Sequence, residues 1–291
     1  MLLALFLMGA TTAWAQMPTD AIYMPKKSVC IAGLYGHSSW NNYWEGTRKR
    51  ENFNIGTHTA QSVSIMPAIG ITNRVNLLLN LPYVQTSTSA GNLMGQRGIQ
   101  DLSAWVKANL AEYKGFSVHG IVGGSMPMSR YVADFLPMSI GSGSRTAMGR
   151  LLLHYKHVPT GLYVTTYASY IWRSNIRVDR DSHFTNGRYW NTNEMMIPNM
   201  YDAAARIGVL RKKWQTEVFV ERMAGLSGDD IRRNDMPYPT NNMQATQVGW
   251  YGKFQPRSLG VNARAAYVTD GRNMGQSTSL TVGVLYQFAL K

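Results

Sequence analysis

The stretch DLSAWVKANL, residues 101–110, alternates without a break. Leu102, Ala104, Val106, Ala108 and Leu110 share one parity, and Asp101, Ser103, Trp105, Lys107 and Asn109 share the other. Successive side chains of a strand point to opposite faces, so this is a strand with one apolar and one polar face. The polar face carries both an acid and a lysine. Unpaired charges are costly in a dry soluble core, whereas a polar lumen accepts them if the apolar face is turned to lipid.

The same parity runs through other segments. Val75, Leu77, Leu79, Leu81 and Tyr83 oppose Arg74, Asn76 and Asn80. Leu151, Leu153 and Tyr155 oppose Arg150, Leu152, His154 and Lys156. Leu259, Val261, Ala263, Ala265 and Tyr267 oppose Asn262 and Arg264.

Twelve strand-like segments recur, near 28–38, 57–71, 74–85, 99–111, 115–126, 147–157, 161–172, 200–210, 213–223, 244–254, 258–268 and 277–288. The connections alternate short (72–73, 112–114, 158–160, 211–212, 255–257) and long (39–56, 86–98, 127–146, 173–199, 224–243, 269–276). Turn formers such as Asn73, Pro159 and Pro256 lie in the short ones. This layout predicts an all-β fold: a transmembrane antiparallel up-and-down β-barrel of outer-membrane type. Both termini then face the periplasm and the long loops face outside. A soluble sandwich with as many strands would not need the short–long alternation.

The ends agree with export to a bacterial outer membrane. MLLALFLMGATTAWAQ opens the chain, and its apolar run 2–8 is too short to span a bilayer as a helix. Ala13-Trp14-Ala15 offers a small-x-small cleavage pattern, which predicts a signal peptide over 1–15 and a single barrel domain over 16–291. The last strand, within STSLTVGVLYQFALK (277–291), places Thr281, Gly283, Tyr286 and Phe288 as in the signal that such barrels show to the outer-membrane insertion machinery. Here Ala289, Leu290 and Lys291 follow it.

Charge narrows the partners. With 29 Lys and Arg against 16 Asp and Glu, the formal net charge is +13. In an exported chain that balance points away from nucleic acid and towards lipopolysaccharide phosphates in the outer-membrane lipid, or acidic small-molecule solutes in a pore. Arg74, Lys107, Arg150, Lys156, Arg206, Lys253 and Arg264 fall on the predicted lumen side, against Asp101, Asp202, Glu217 and Glu221. The positive excess predicts a narrow, mildly anion-preferring pore, or else an ion-pair network bracing a filled barrel. Arg74, Asp101, Lys107, Arg150, His154, Arg206 and Arg264 are the candidate lumen and selectivity residues.

Chemistry beyond a pore has one candidate. In GLYGHSSWNNYWEGTRKRE (33–51), His37 and Ser39 share a parity with Val29 and Ile31, which places them on the outer face near the rim, with Glu51 further on. The arrangement is similar to that of outer-membrane lipid-hydrolysing barrels, where histidine takes the serine proton and a third residue orients the imidazole. In that reading Arg48, Lys49 and Arg50 would attract lipid phosphates. Those enzymes usually place Asn after the Ser; Trp40 follows Ser39 here. Trp40, Tyr43 and Trp44 also read as an interfacial aromatic belt.

No cofactor and no metal site are expected. His154 and His157 point to opposite faces of a strand, and Gly120, Gly123 and Gly124 do not precede a helix. Cys30 is the single cysteine, so no internal disulfide forms.

IGITNRVNLLLNLPYV (69–84) followed by GIQDLSAWVKANL (98–110) resembles the outer-membrane barrels of the MetA-pathway phenol-degradation family. The shared pattern is a Gly-Ile-Thr turn, a strand ending Leu-Pro-Tyr-Val, then Gly-x-x-Asp-Leu with a following lysine. The resemblance implies a transporter-like barrel handling small, often aromatic molecules, with Asp101 and Lys107 as a lumen pair. The expected function is an outer-membrane channel or porin for small molecules, anionic or aromatic. The alternatives are a structural or partner-bound barrel of an envelope complex, and a surface lipid hydrolase.

Overall fold

The computed structural model describes residues 16–233 and 235–290, so the expected signal peptide lies outside the described residues. Twelve long strands build the wall: β1 (Ser28–Trp40), β2 (His58–Gly70), β3 (Val75–Thr88), β4 (Asp101–Tyr113), β5 (Phe116–Pro127), β6 (Thr146–Lys156), β7 (Leu162–Arg173), β8 (Met200–Leu210), β9 (Trp214–Gly225), β10 (Gln244–Phe254), β11 (Leu259–Arg272) and β12 (Thr278–Ala289). Each pairs antiparallel with its chain neighbours. β1 also pairs with β12, from Ser28↔Ala289 to Ser39↔Thr278, so the sheet closes on itself and leaves no edge. The fold is the expected all-β, closed up-and-down barrel.

Parity decides which way each side chain points. Lys107 is fully buried inside while its neighbour Val106 is 39% exposed outside. The outer wall is an apolar belt including Ile65, Val122, Leu151, Ile207, Val218 and Val282. At the short-turn end Tyr113, Phe116, Tyr155, Trp214, Phe254 and Tyr286 are exposed around it, as an aromatic ring at a membrane interface would be. The β4–β5 turn is Lys114-Gly115, both at positive φ (46° and 85°), the backbone of a two-residue hairpin turn.

The long connections carry short strands that the sequence did not reveal. Asn42–Glu45 pairs with Arg48–Glu51, Ile176–Arg177 with Glu194–Met195, and His183–Thr185 with Arg188–Trp190. These fold over the long-loop end. Trp44 is buried against Ala245 and Val268, and Trp40 stacks on His58 with ring centroids 5.1 Å apart. The belt reading of these two tryptophans is therefore wrong. Trp40 shares the parity of the lumen-facing Cys30 and Ala32, and the hairpin carries Trp44 back over the barrel. Arg74 also departs from expectation: β3 begins at Val75, and Arg74 is exposed in the preceding turn, its N–H donating to Thr72 Oγ1.

Candidate functional site

The lumen is where the charges converge, and it is not empty. Before β1, the chain turns at the exposed Lys26 and Lys27, the N–H of Lys27 donating to the Gly70 carbonyl, and residues 25 to 16 run up inside the barrel. Gly70 makes room for that path: a Cβ there would lie 2.0 Å from the Pro25 carbonyl oxygen. Met24 is fully buried among Cys30, Ala32, Ala68, Leu78 and Leu285, closing the short-turn end with apolar contacts. Ile22 packs on Tyr163 and Leu210, and Met17 reaches Phe219, Tyr251 and Ala266 half-way up.

One acid anchors this segment. Asp20 accepts from the backbone N–H groups of Met17 and Ile22, which closes a tight turn on its own carboxylate. Its Oδ1 is 2.7 Å from Lys107 Nζ. The ammonium also donates to the carbonyls of Met17 and Asp20, at 3.1 and 2.9 Å. All three ammonium hydrogens thus have acceptors on the segment, which is what allows a lysine to be fully buried. Arg150 adds a bond to the Pro18 carbonyl at 3.0 Å, and Tyr23 bonds His119 Nδ1 at 2.9 Å.

Above and beside the segment, the wall carries three arginines on aromatic rings. Arg150 (β6) lies over Tyr167 at 4.2 Å and pairs with Asp202 at 2.7 Å. Arg206 (β8) bridges Glu217 at 2.9 Å and Glu221, and lies over Phe219 at 5.4 Å. Arg264 (β11) pairs with Glu221 at 2.7 Å and lies over the same Phe219 at 4.6 Å. Cation–π contacts and carboxylates together hold the guanidinium planes in place.

The structure thus brings Lys107, Arg150, Arg206 and Arg264 to one lumen. His154 also faces inward and bonds Thr165 Oγ1 at 2.7 Å. Asp101 lies at the long-loop rim, accepting from Tyr131 Oη at 2.6 Å, so it is not the partner of Lys107. That partner is Asp20. No periodicity marks residues 16–27, and the resemblance points to Asp101 as the partner of Lys107, so nothing in the sequence pattern signals Asp20.

His37 and Ser39 lie on the outer face as expected, but their side chains share no hydrogen bond with each other or with Glu51 among the described residues. Glu51 is exposed at the end of the Asn42–Glu45/Arg48–Glu51 hairpin, and Arg50 is already paired with Glu45 at 2.9 Å. Nothing here orients an imidazole on a nucleophile. Among the described residues no group of three or more His, Cys, Asp or Glu could hold a metal ion.

Compared with solved structures, the chain is similar to an outer-membrane channel from Pseudomonas putida F1. Identity is 14%, coverage is 94% of this chain and 100% of that one, and the TM-score is 0.72. The likeness is one of fold. The NanC porin is a more distant match, at 10% identity, 89% and 98% coverage and a TM-score of 0.50. No family model and no curated protein matches the sequence.

Proposed function

We propose that the chain is a channel of the bacterial outer membrane for small organic anions, and that its own residues 16–27 close it in the conformation described. The observation that carries this reading is the pairing of two features in one lumen. Arg150, Arg206 and Arg264 line the wall on aromatic rings, and the plug beside them is a tethered segment rather than part of the wall. Fixed cations over aromatic faces suit a planar carboxylate, which can exchange one arginine for the next without losing its counter-charge. The likeness to the Pseudomonas putida outer-membrane channel supports the reading at the level of fold.

Withdrawal of the segment removes Asp20, an acid, and leaves the lumen more positive. Opening and anion preference should therefore rise together. Planar-bilayer conductance under a salt gradient tests this: anion-selective current that increases when the segment is weakened supports the reading.

The filled lumen gives specific support to a second reading, a plugged barrel that serves as a scaffold in an envelope complex. A folded protein that stays silent in the bilayer even without residues 16–24 would favour it.

A further inference from the structure

A second concavity lies outside the lumen, at the long-loop end, between the loop after β5 and the loop after β7. It is a cleft of ≈ 650 Å³, within the size range of small-molecule sites. The loops are stitched together before any ligand arrives. Ser174 N–H donates to the Arg145 carbonyl, Arg145 N–H to Ser174 Oγ, and Ser144 Oγ to the Ser174 carbonyl at 2.6 Å. Beneath them Ala133, Ile176, Val178, Met195 and Ile197 form a buried apolar cluster with Tyr131 against it. The Tyr131 hydroxyl donates to Asp101 and accepts from the Gly143 N–H at 3.0 Å, which locks the ring. Burial and the Asp101 carboxylate raise the pKa of this phenol, so it stays protonated.

The rim is cationic. Arg130, Arg145 and Arg177 are exposed around the cleft, and none forms an ion pair among the described residues. Two acids also line it. Asp134 is already neutralised by Arg180 at 2.7 Å, which leaves Asp179 against three arginines. A preformed apolar floor with an aromatic ring, under a rim of uncommitted guanidinium groups, matches a ligand with one flat apolar body and one carboxylate.

We infer that this cleft is a binding site for aromatic carboxylates, with Arg145 and Arg177 holding the carboxylate and the Tyr131–Ile176–Val178 floor holding the ring. Its role as the capture site of the channel rests on the channel reading; the binding itself does not. Small inorganic anions share the charge but not the floor, and should bind far more weakly.

The test is equilibrium binding of 2-naphthoate to the full refolded protein in detergent, by calorimetry. Saturable binding is expected, with little from the uncharged 2-naphthamide and no displacement by an equal concentration of inorganic phosphate. Arg145→Gln and Arg177→Gln should each weaken binding by about tenfold, the worth of a charged hydrogen bond. Arg188→Gln, an exposed arginine outside the cleft, should leave it unchanged. Binding that survives the Arg145/Arg177 double substitution overturns the site, as does binding of the amide as tight as that of the acid. Displacement by phosphate overturns the aromatic part of the claim, and no saturable binding overturns all of it. Planar-bilayer conductance of a variant lacking residues 16–24 separates the two ideas: naphthoate binding with no current from that unplugged variant refutes only the channel, and current from it without naphthoate binding refutes only the cleft.

Discussion

Lys107 Nζ and Asp20 Oδ1 meet 2.7 Å apart inside the barrel, and the lysine side chain has no solvent exposure. Removing one member of such a pair leaves a buried charge without a partner, a cost of about 3–5 kcal/mol. The wall strand cannot move away from that charge, but the segment can. Asp20→Asn should therefore release residues 16–27 rather than unfold the barrel. Hydrogen exchange read on that peptide should accelerate strongly while β4 stays protected. Adding Lys107→Met to Asp20→Asn should restore much of the protection, since the stranded charge is gone.

Gly70 gives a route to the same release that involves no charge. A methyl group there would meet the Pro25 carbonyl oxygen at 2.0 Å, closer than any van der Waals contact allows. Gly70→Ala should expel the segment and reproduce the exchange pattern of Asp20→Asn. Unchanged protection of residues 16–27 in Gly70→Ala would mean that the chain does not pass over Gly70.

How much of this was legible in the sequence depends on whether a neighbour in the chain carries the signal. Val106 outside and Lys107 inside follow from period-two alternation alone, and so do Arg150, Arg206 and Arg264 in the lumen. Parity does not reach Arg74, which precedes its strand by one residue, and at Trp40 parity rather than the interfacial preference of aromatics decides the side. Asp20 escaped because residues 16–27 form no strand and repeat nothing. Their place is set by contacts such as Asp20 to Lys107, 87 residues apart in the chain. The cleft arginines escaped for the same reason: only the folded loops bring Arg130, Arg145 and Arg177 around one floor.

Selectivity should follow the wall arginines. Arg264 shares Glu221 with Arg206 and is 28% exposed at its side chain, so it can be neutralised without stranding the acid. Arg264→Gln should lower anion preference, seen as a shift of the reversal potential towards the cation value under a salt gradient. An unchanged reversal potential in a conducting variant would remove Arg264 from the permeation path.

The long-loop end is held by Asn273, which adopts a left-handed backbone at φ 54° and is nearly fully buried. Its side chain accepts from the Gly46 and Ile231 N–H groups and donates to the Asn242 carbonyl and Asp230. Asn273→Gly keeps the backbone permissive and removes every one of those bonds, each orphaned group costing about 1–3 kcal/mol. Trypsin should then cut faster at Arg48, Lys49 and Arg50 on the freed hairpin. The two bonds from Arg272 hold the Asp230 carboxyl below the usual carboxylate range. A depressed folded pKa contributes stability above the unfolded value and loses it as pH falls through the folded one. Exchange in the loop around Asp230, corrected for intrinsic rates, should therefore rise in acid, and an Asp230→Asn variant should show less of that rise.

Residues 16–27 are proposed to close an anion-preferring channel. The most direct test is single-channel current in a planar bilayer under a salt gradient, comparing the wild type, Asp20→Asn and a deletion of 16–24. Both variants should conduct more than the wild type and prefer anions more strongly. Folded variants that carry no more current than the wild type, or that turn cation-selective as Asp20 leaves the lumen, would contradict the proposal.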